Sequence, residues 1–162
     1  MSARKGVRPE QYAGVFHHYE DIPERYRLQT YADQYDGEDT LGQYVENVLH
    51  GEGKSHSETF QQRTRRAVKS WRKHMDDRGR HHALATPDDV EAWCGDHLSR
   101  VTRETAYMNY YVRIYQFYEH LVTTHHHPHV YNPFIIAAIE GGDARELWKF
   151  RVDNRPEVVD RE

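Results

Sequence analysis

Between Ser55 and Gly142 the apolar residues recur at helical spacing in four successive stretches, each announced by a capping side chain. The first, over roughly residues 57–78, places Phe60, Thr64, Ala67, Val68, Trp71 and Met75 within an arc of about 100°. Ser55-His56-Ser57-Glu58 reads as its capping box, with Ser55 as the cap and Glu58 reaching back, and Gly79 reads as its stop. The second opens on Thr86-Pro87-Asp88-Asp89, a capping threonine, a proline at the first helical position and acids that suit the positive end of the helix dipole. Val90, Trp93, Cys94, His97 and Leu98 form its inner face. The third runs from the cap Thr102 to about Thr123, with Ala106, Tyr107, Tyr111, Ile114, Tyr115, Tyr118, Leu121 and Val122 inward. The fourth follows Asn132-Pro133, carries Ile135, Ile136, Ala138 and Ile139, and ends at Gly141-Gly142. No alternating pattern competes with these, so the fold class is all-α. The connections are too short for consecutive helices to do other than pack together.

Around this core the signals are weaker. Residues 1–20 show no sustained period and are expected to be loosely ordered. A short helical pattern follows Pro23 (Tyr26, Tyr31, Ala32, Tyr35), and another runs from Asp39 through Leu41, Tyr44, Val45, Val48 and Leu49. Gly51-Glu52-Gly53 is a flexible break. The organisation read from the sequence is an N-terminal helical extension over 1–53, a four-helix unit over 54–142, and 143–162 as a short helix around Leu147 and Trp148 with a tail from 151. Hydrophobic content is only 37%, but twelve Tyr and three Trp supply large burial areas. No apolar run approaches the roughly 20 residues that span a bilayer, and no signal peptide follows Met1. The single cysteine, Cys94, rules out an internal disulfide framework and fits a reducing, cytoplasmic setting.

Charge is distributed unevenly. The chain is acidic overall, at −4, yet Lys54 to Arg80 holds nine Lys/Arg against three acids. The segments on either side each sum to −5. On the first core helix Arg65, Arg66, Lys69, Arg72 and Lys73 fall opposite the apolar arc, giving an apolar back and a cationic front. A local field of one sign inside an oppositely charged protein points to a polyanionic partner.

The ordered set of signals resembles the N-terminal core-binding domain of tyrosine recombinases (the phage-integrase family), a SAM-like helical fold. The residues that carry it, over about 55–142, are Ser57-Glu58-Thr59 at a helix start, the aromatic Trp71, Thr86-Pro87-Asp88-Asp89-Val90, Thr102-Arg103-Glu104-Thr105 leading into Ile114-Tyr115-Gln116-Phe117-Tyr118-Glu119-His120-Leu121, and Asn132-Pro133. Ile22-Pro23-Glu24-Arg25-Tyr26-Arg27-Leu28 through Tyr35 looks like the leader of integrases from salt-loving archaea. The resemblance implies a domain that grips double-stranded DNA with its first and third core helices while a separate catalytic domain cleaves strands. Carried onto this chain, it points to Ser57, Thr59, Gln62, Arg63 and Arg66 on the first helix and to Thr102, Arg103, Thr105, Asn109, Tyr110 and Arg113 on the third. Lys69, Arg72 and Lys73 join them on charge alone. The family's arginine–histidine–tyrosine constellation is absent, so the chain alone is expected not to be an enzyme, and the resemblance allows self-association on DNA through a parent recombinase.

These residue types suit phosphate recognition. Arginine matches phosphate oxygens and guanine edges, and Ser57 and Thr59 stand at a helix start where free N–H groups attract anions. Contact with five to eight phosphates would give a salt slope of roughly −4.5 to −7. His125-His126-His127-Pro128-His129 invites a metal reading, but adjacent residues on one loop rarely converge on an ion, and neither metal nor cofactor is expected. The alternative function is a helical protein-interaction module that docks an acidic surface, or an integrase-derived DNA-binding regulator without recombination activity.

Overall fold

The computed structural model describes residues 8–51 and 53–154, and among them every regular element is helical. The main helices are α1 (Ala32–Tyr35), α2 (Thr40–Tyr44), α3 (Glu58–Asp77), α4 (Pro87–Leu98), α5 (Arg103–Ala106), α6 (Val112–Thr123), α7 (Pro133–Glu140) and α8 (Asp143–Asn154). A π turn, Val45–Leu49, continues α2, and another, Tyr107–Tyr111, joins α5 to α6 in one rod. No described helix is long and apolar enough to cross a membrane.

Helix α7 organises the core because it is apolar all round: Phe134, Ile135, Ile136, Ala137, Ala138 and Ile139 are all buried. A helix with no polar face must be surrounded. Helices α4 and α8 pack on it, while α3 lies against the Tyr107–Tyr111 turn and α6. At the centre Trp71 meets Trp93 edge-on at 4.8 Å, and Phe134 sits 5.6 Å from Trp71 and 5.2 Å from Tyr111. Rings at these separations add edge-to-face attraction to their burial.

The caps are local and are seen largely where the side chains place them. Thr86 accepts from the Asp89 N–H at 3.1 Å while Asp89 accepts from the Thr86 N–H at 2.8 Å, a reciprocal capping box. Asn132 caps α7 by accepting from Phe134 N–H at 2.8 Å. Gly79, with φ of +75°, terminates α3 in the left-handed conformation that favours glycine. One cap differs from expectation: Ser57, not Ser55, accepts the Phe60 N–H at 3.1 Å, so Ser55 and Glu58 form no capping box.

The extension differs more. Residues 8–20 are not loose: 3-10 turns at Pro9–Tyr12 and Tyr19–Asp21 lay the chain on the body. Ala13 is buried, Tyr12 meets Trp148 edge-on, and the Tyr19 N–H donates to Glu140 at 3.0 Å. Residues 1–7 lie outside the described residues. The pattern after Pro23 is two further 3-10 turns before the single turn of α1, and Ile22, Leu28, Tyr35, Leu41 and Tyr44 enter the same buried cluster as α3–α8. At the other end α8 runs to Asn154 and buries Ala144, Leu147, Trp148 and Val152 against α4 and α7, so the tail does not begin at 151; residues 155–162 lie outside the described residues.

The connection before α4 is unusually deep, with Ala83, Leu84 and Ala85 all buried. Buried backbone must be paired, and side chains pair it here. Trp71 Nε1 and the Tyr118 hydroxyl both donate to His82 O at 2.8 Å, Tyr118 also accepts from Ala85 N–H at 3.1 Å, and His129 Nε2 donates to Ala83 O at 2.7 Å. The same connection clasps the extension: His82 Nε2 accepts the Leu41 N–H at 3.1 Å and His81 Nε2 donates to Glu38 O at 2.8 Å. His127 is bonded to the Tyr35 hydroxyl at 2.5 Å. These inner histidines of the chain are therefore structural partners.

Candidate nucleic-acid interface

Helix α3 turns Thr64, Ala67, Trp71 and Met75 into the core, which fixes its opposite stripe to solvent. On that stripe Gln62, Arg66, Lys69 and Lys73 stand exposed at alternating four- and three-residue steps, a line of about 16 Å at the rise of an α-helix. Arg66 and Lys69 have no ion-pair partner among the described residues. Their neighbours are engaged. Lys73 pairs with Asp77 at 3.0 Å, Arg65 with Glu58 at 3.4 Å, and Gln62 Nε2 donates to the same Glu58 carboxylate at 3.3 Å. These exposed contacts are weak and exchangeable.

Three arginines of the basic stretch are held more firmly. Arg72 reaches across to Asp39, the cap of α2, at 2.5 Å, and its Nε is buried without a partner. Arg78 and Arg80 converge on Asp89, whose carboxylate is fully buried, with contacts of 2.5, 2.6 and 2.7 Å. Burial alone would raise the Asp89 pKa, but hydrogen bonds from Arg80, the Thr86 N–H and Arg78 outweigh it and bring the value to about 2. The cationic front of α3 is thus narrower than its composition.

The remaining sequence-derived residues fall into separate places. Arg113 lies over the Phe60 ring at 4.2 Å, with His56 stacked on that ring at 4.1 Å; two groups so close must take opposite faces. Its Nη1 donates to Gln116 at 2.8 Å, its Nε is buried and unpaired, and burial, with the like charge of Arg63 contributing, lowers its pKa. Arg63 is half-buried and also lacks an ion-pair partner among the described residues. Thr102 caps α5 by accepting from Thr105 N–H at 3.2 Å, and its hydroxyl meets that of Thr105 at 3.0 Å. Arg103 turns to α8, where it pairs with Glu146 at 3.4 Å and lies over Phe150. Thr59 is exposed at the start of α3, and Asn109 is half-buried in the π turn.

Tyr110 is brought beside the crest. It lines a groove of about 670 Å³ between α3 and α4, beside Arg66, Lys69 and Lys73. Arg100, in the turn that follows α4 and paired with Asp96 at 2.9 Å, lines the groove as well. Beneath the groove Trp93 Nε1 donates to Ser70 Oγ at 3.0 Å, Ser70 meets His97 Nε2 at 3.0 Å, and His97 stacks on Tyr110 at 3.8 Å. Burial holds the His97 pKa at about 4, so the ring is neutral near pH 7 and Nε2 can accept the Ser70 hydroxyl. No protein-family model, curated protein or solved structure matches this chain. The site therefore rests on its own geometry. Ser70, His97 and Arg100 were not foreseen, because Ser70 and His97 lie 27 residues apart and nothing local ties them.

Proposed function

We propose that this chain binds double-stranded DNA through the crest of α3, as the DNA-gripping helical domain of a site-specific tyrosine recombinase whose strand cleavage is done by a separate catalytic domain. One observation carries the proposal: Arg66 and Lys69 stand exposed and unpaired on one helical stripe, whereas Arg65, Arg72, Arg78 and Arg80 of the basic stretch are tied to carboxylates. Arg63 and the exchangeable Arg65 and Lys73 flank them. A convex row of cations on one helix suits a phosphate backbone, which fixes register before any base is read. The SAM-like four-helix arrangement belongs to the same proposal, with α3, α4, the α5–α6 rod and α7 as its four helices.

The pairing pattern sharpens the expected salt dependence. Two to four phosphate contacts, rather than five to eight, give a slope of roughly −1.8 to −3.6. Fluorescence anisotropy with a duplex at low salt tests this. Arg66→Ala with Lys69→Ala should weaken binding across sequences and flatten the slope by about two. Unchanged affinity in that double variant refutes the crest as the binding face. Salt-sensitive self-association without DNA would instead favour a protein-interaction module.

A further inference from the structure

The groove behind the crest has features that a duplex backbone lying on the crest would leave unused. Its Tyr110 ring is half-exposed and recessed beside the two unpaired cations, and the Tyr110 hydroxyl has no hydrogen bond among the described residues. The ring is also held from behind. Trp93, Ser70 and His97 form a chain of contacts rooted in the core, and the His97 ring lies 3.8 Å from Tyr110 at 19°. A ring already fixed against a second ring loses little freedom when a third plane is laid on it. The two acids that line the groove, Asp77 and Asp96, are each bonded to a cation, Lys73 and Arg100, so the field inside is set by Arg66 and Lys69.

A flat surface for a ring beside two unpaired cations lining the same groove is the chemistry of a nucleotide removed from its stack. We infer that the α3–α4 groove receives one unstacked nucleotide at a single-stranded end or gap of the DNA, its base on Tyr110 and its phosphate on Arg66 and Lys69. The inference rests on the reading of this face as a DNA surface. The groove is large enough for a single nucleotide, and small-ligand sites occupy this range of volume.

The test compares a blunt duplex with the same duplex carrying a short single-stranded overhang whose first unpaired base is 2-aminopurine. At low salt the overhang should tighten binding about tenfold, the scale of one base–aromatic stack, and the 2-aminopurine fluorescence should be quenched. Tyr110→Ala should abolish the quenching and collapse the difference between the probes, whereas Tyr110→Phe should keep both. Circular dichroism checks the fold, and Tyr110→Leu, which fills the hollow without a stacking ring, serves if Tyr110→Ala does not fold. Equal affinity for both probes, or quenching that survives loss of the ring, overturns the inference while leaving duplex binding standing. Binding to neither probe overturns both.

Discussion

Replacing Asp89 by asparagine keeps the size of a fully buried side chain and removes the charge that Arg78 and Arg80 share. The carboxylate titrates at about 2, well below an ordinary aspartate, so it takes up a proton less readily folded than unfolded. Such a group stabilises the fold above the unfolded value, and the stabilisation is lost as pH falls toward the folded one. The difference corresponds to roughly 2–3 kcal/mol at neutral pH. Breaking a buried pair by removing one partner costs about 3–5 kcal/mol when the other charge is stranded. Here the two arginine side chains are 34% and 33% exposed, so water can reach them and the lower end applies. The expectation is a loss of about 3 kcal/mol for Asp89→Asn at neutral pH, read as a fall in the urea midpoint by far-UV circular dichroism. The gap between the two proteins should narrow below about pH 4, as the native carboxylate loses its advantage. A variant within about 1 kcal/mol of the parent at neutral pH, or a gap that is constant into acid, would refute the assignment of Asp89 as the electrostatic anchor of the α3–α4 connection.

Acid should destabilise the protein before Asp89 responds. Burial lowers the pKa of His82 to about 3 and of His97 and His129 to about 4, so all three are neutral in the fold and take up protons only on unfolding. Stability should therefore decline as pH falls from about 6.5 toward about 4, and an unchanged denaturant midpoint across that window would contradict the buried clasp. Asp39→Ala should release Arg72 toward the crest and steepen the salt dependence of duplex binding by up to about one, measured by anisotropy; an unchanged slope would show that Arg72 stays out of reach.

Much of the helical core was legible because its signals are short-range. Thr86, Thr102 and Asn132 cap helices through N–H groups two or three residues away, so spacing alone locates them. Ser57 was missed because Ser55 and Ser57 both precede the apolar stripe, and only the helix's true first turn decides between them. The extension was less legible, since 3-10 turns bury one residue here and another there, such as Ile22 and Leu28, without a period to detect. The candidate site was legible in its charge and not in its pairing. Whether an arginine is available to a phosphate depends on an acid that can be distant in the chain: Asp39 lies 33 residues from Arg72 and Glu146 lies 43 from Arg103. A count of cations therefore overstates the candidate interface, and Arg66 and Lys69 emerge as its exposed, unpaired cations only once the fold is known.

The π turn at Tyr107–Tyr111 has a consequence for how this rod tolerates change. A π turn carries one residue more than the α-helix needs, so the segments on its two sides keep independent rotational settings. Were the rod to wind as a regular α-helix from Arg103 to Thr123 with every residue kept, one end would swing relative to the other by about 100°. Arg103 could no longer meet Glu146 while Arg113 stays over Phe60. The surplus residue works as a rotary joint, letting one end of the rod be fitted to α8 and the other to α3.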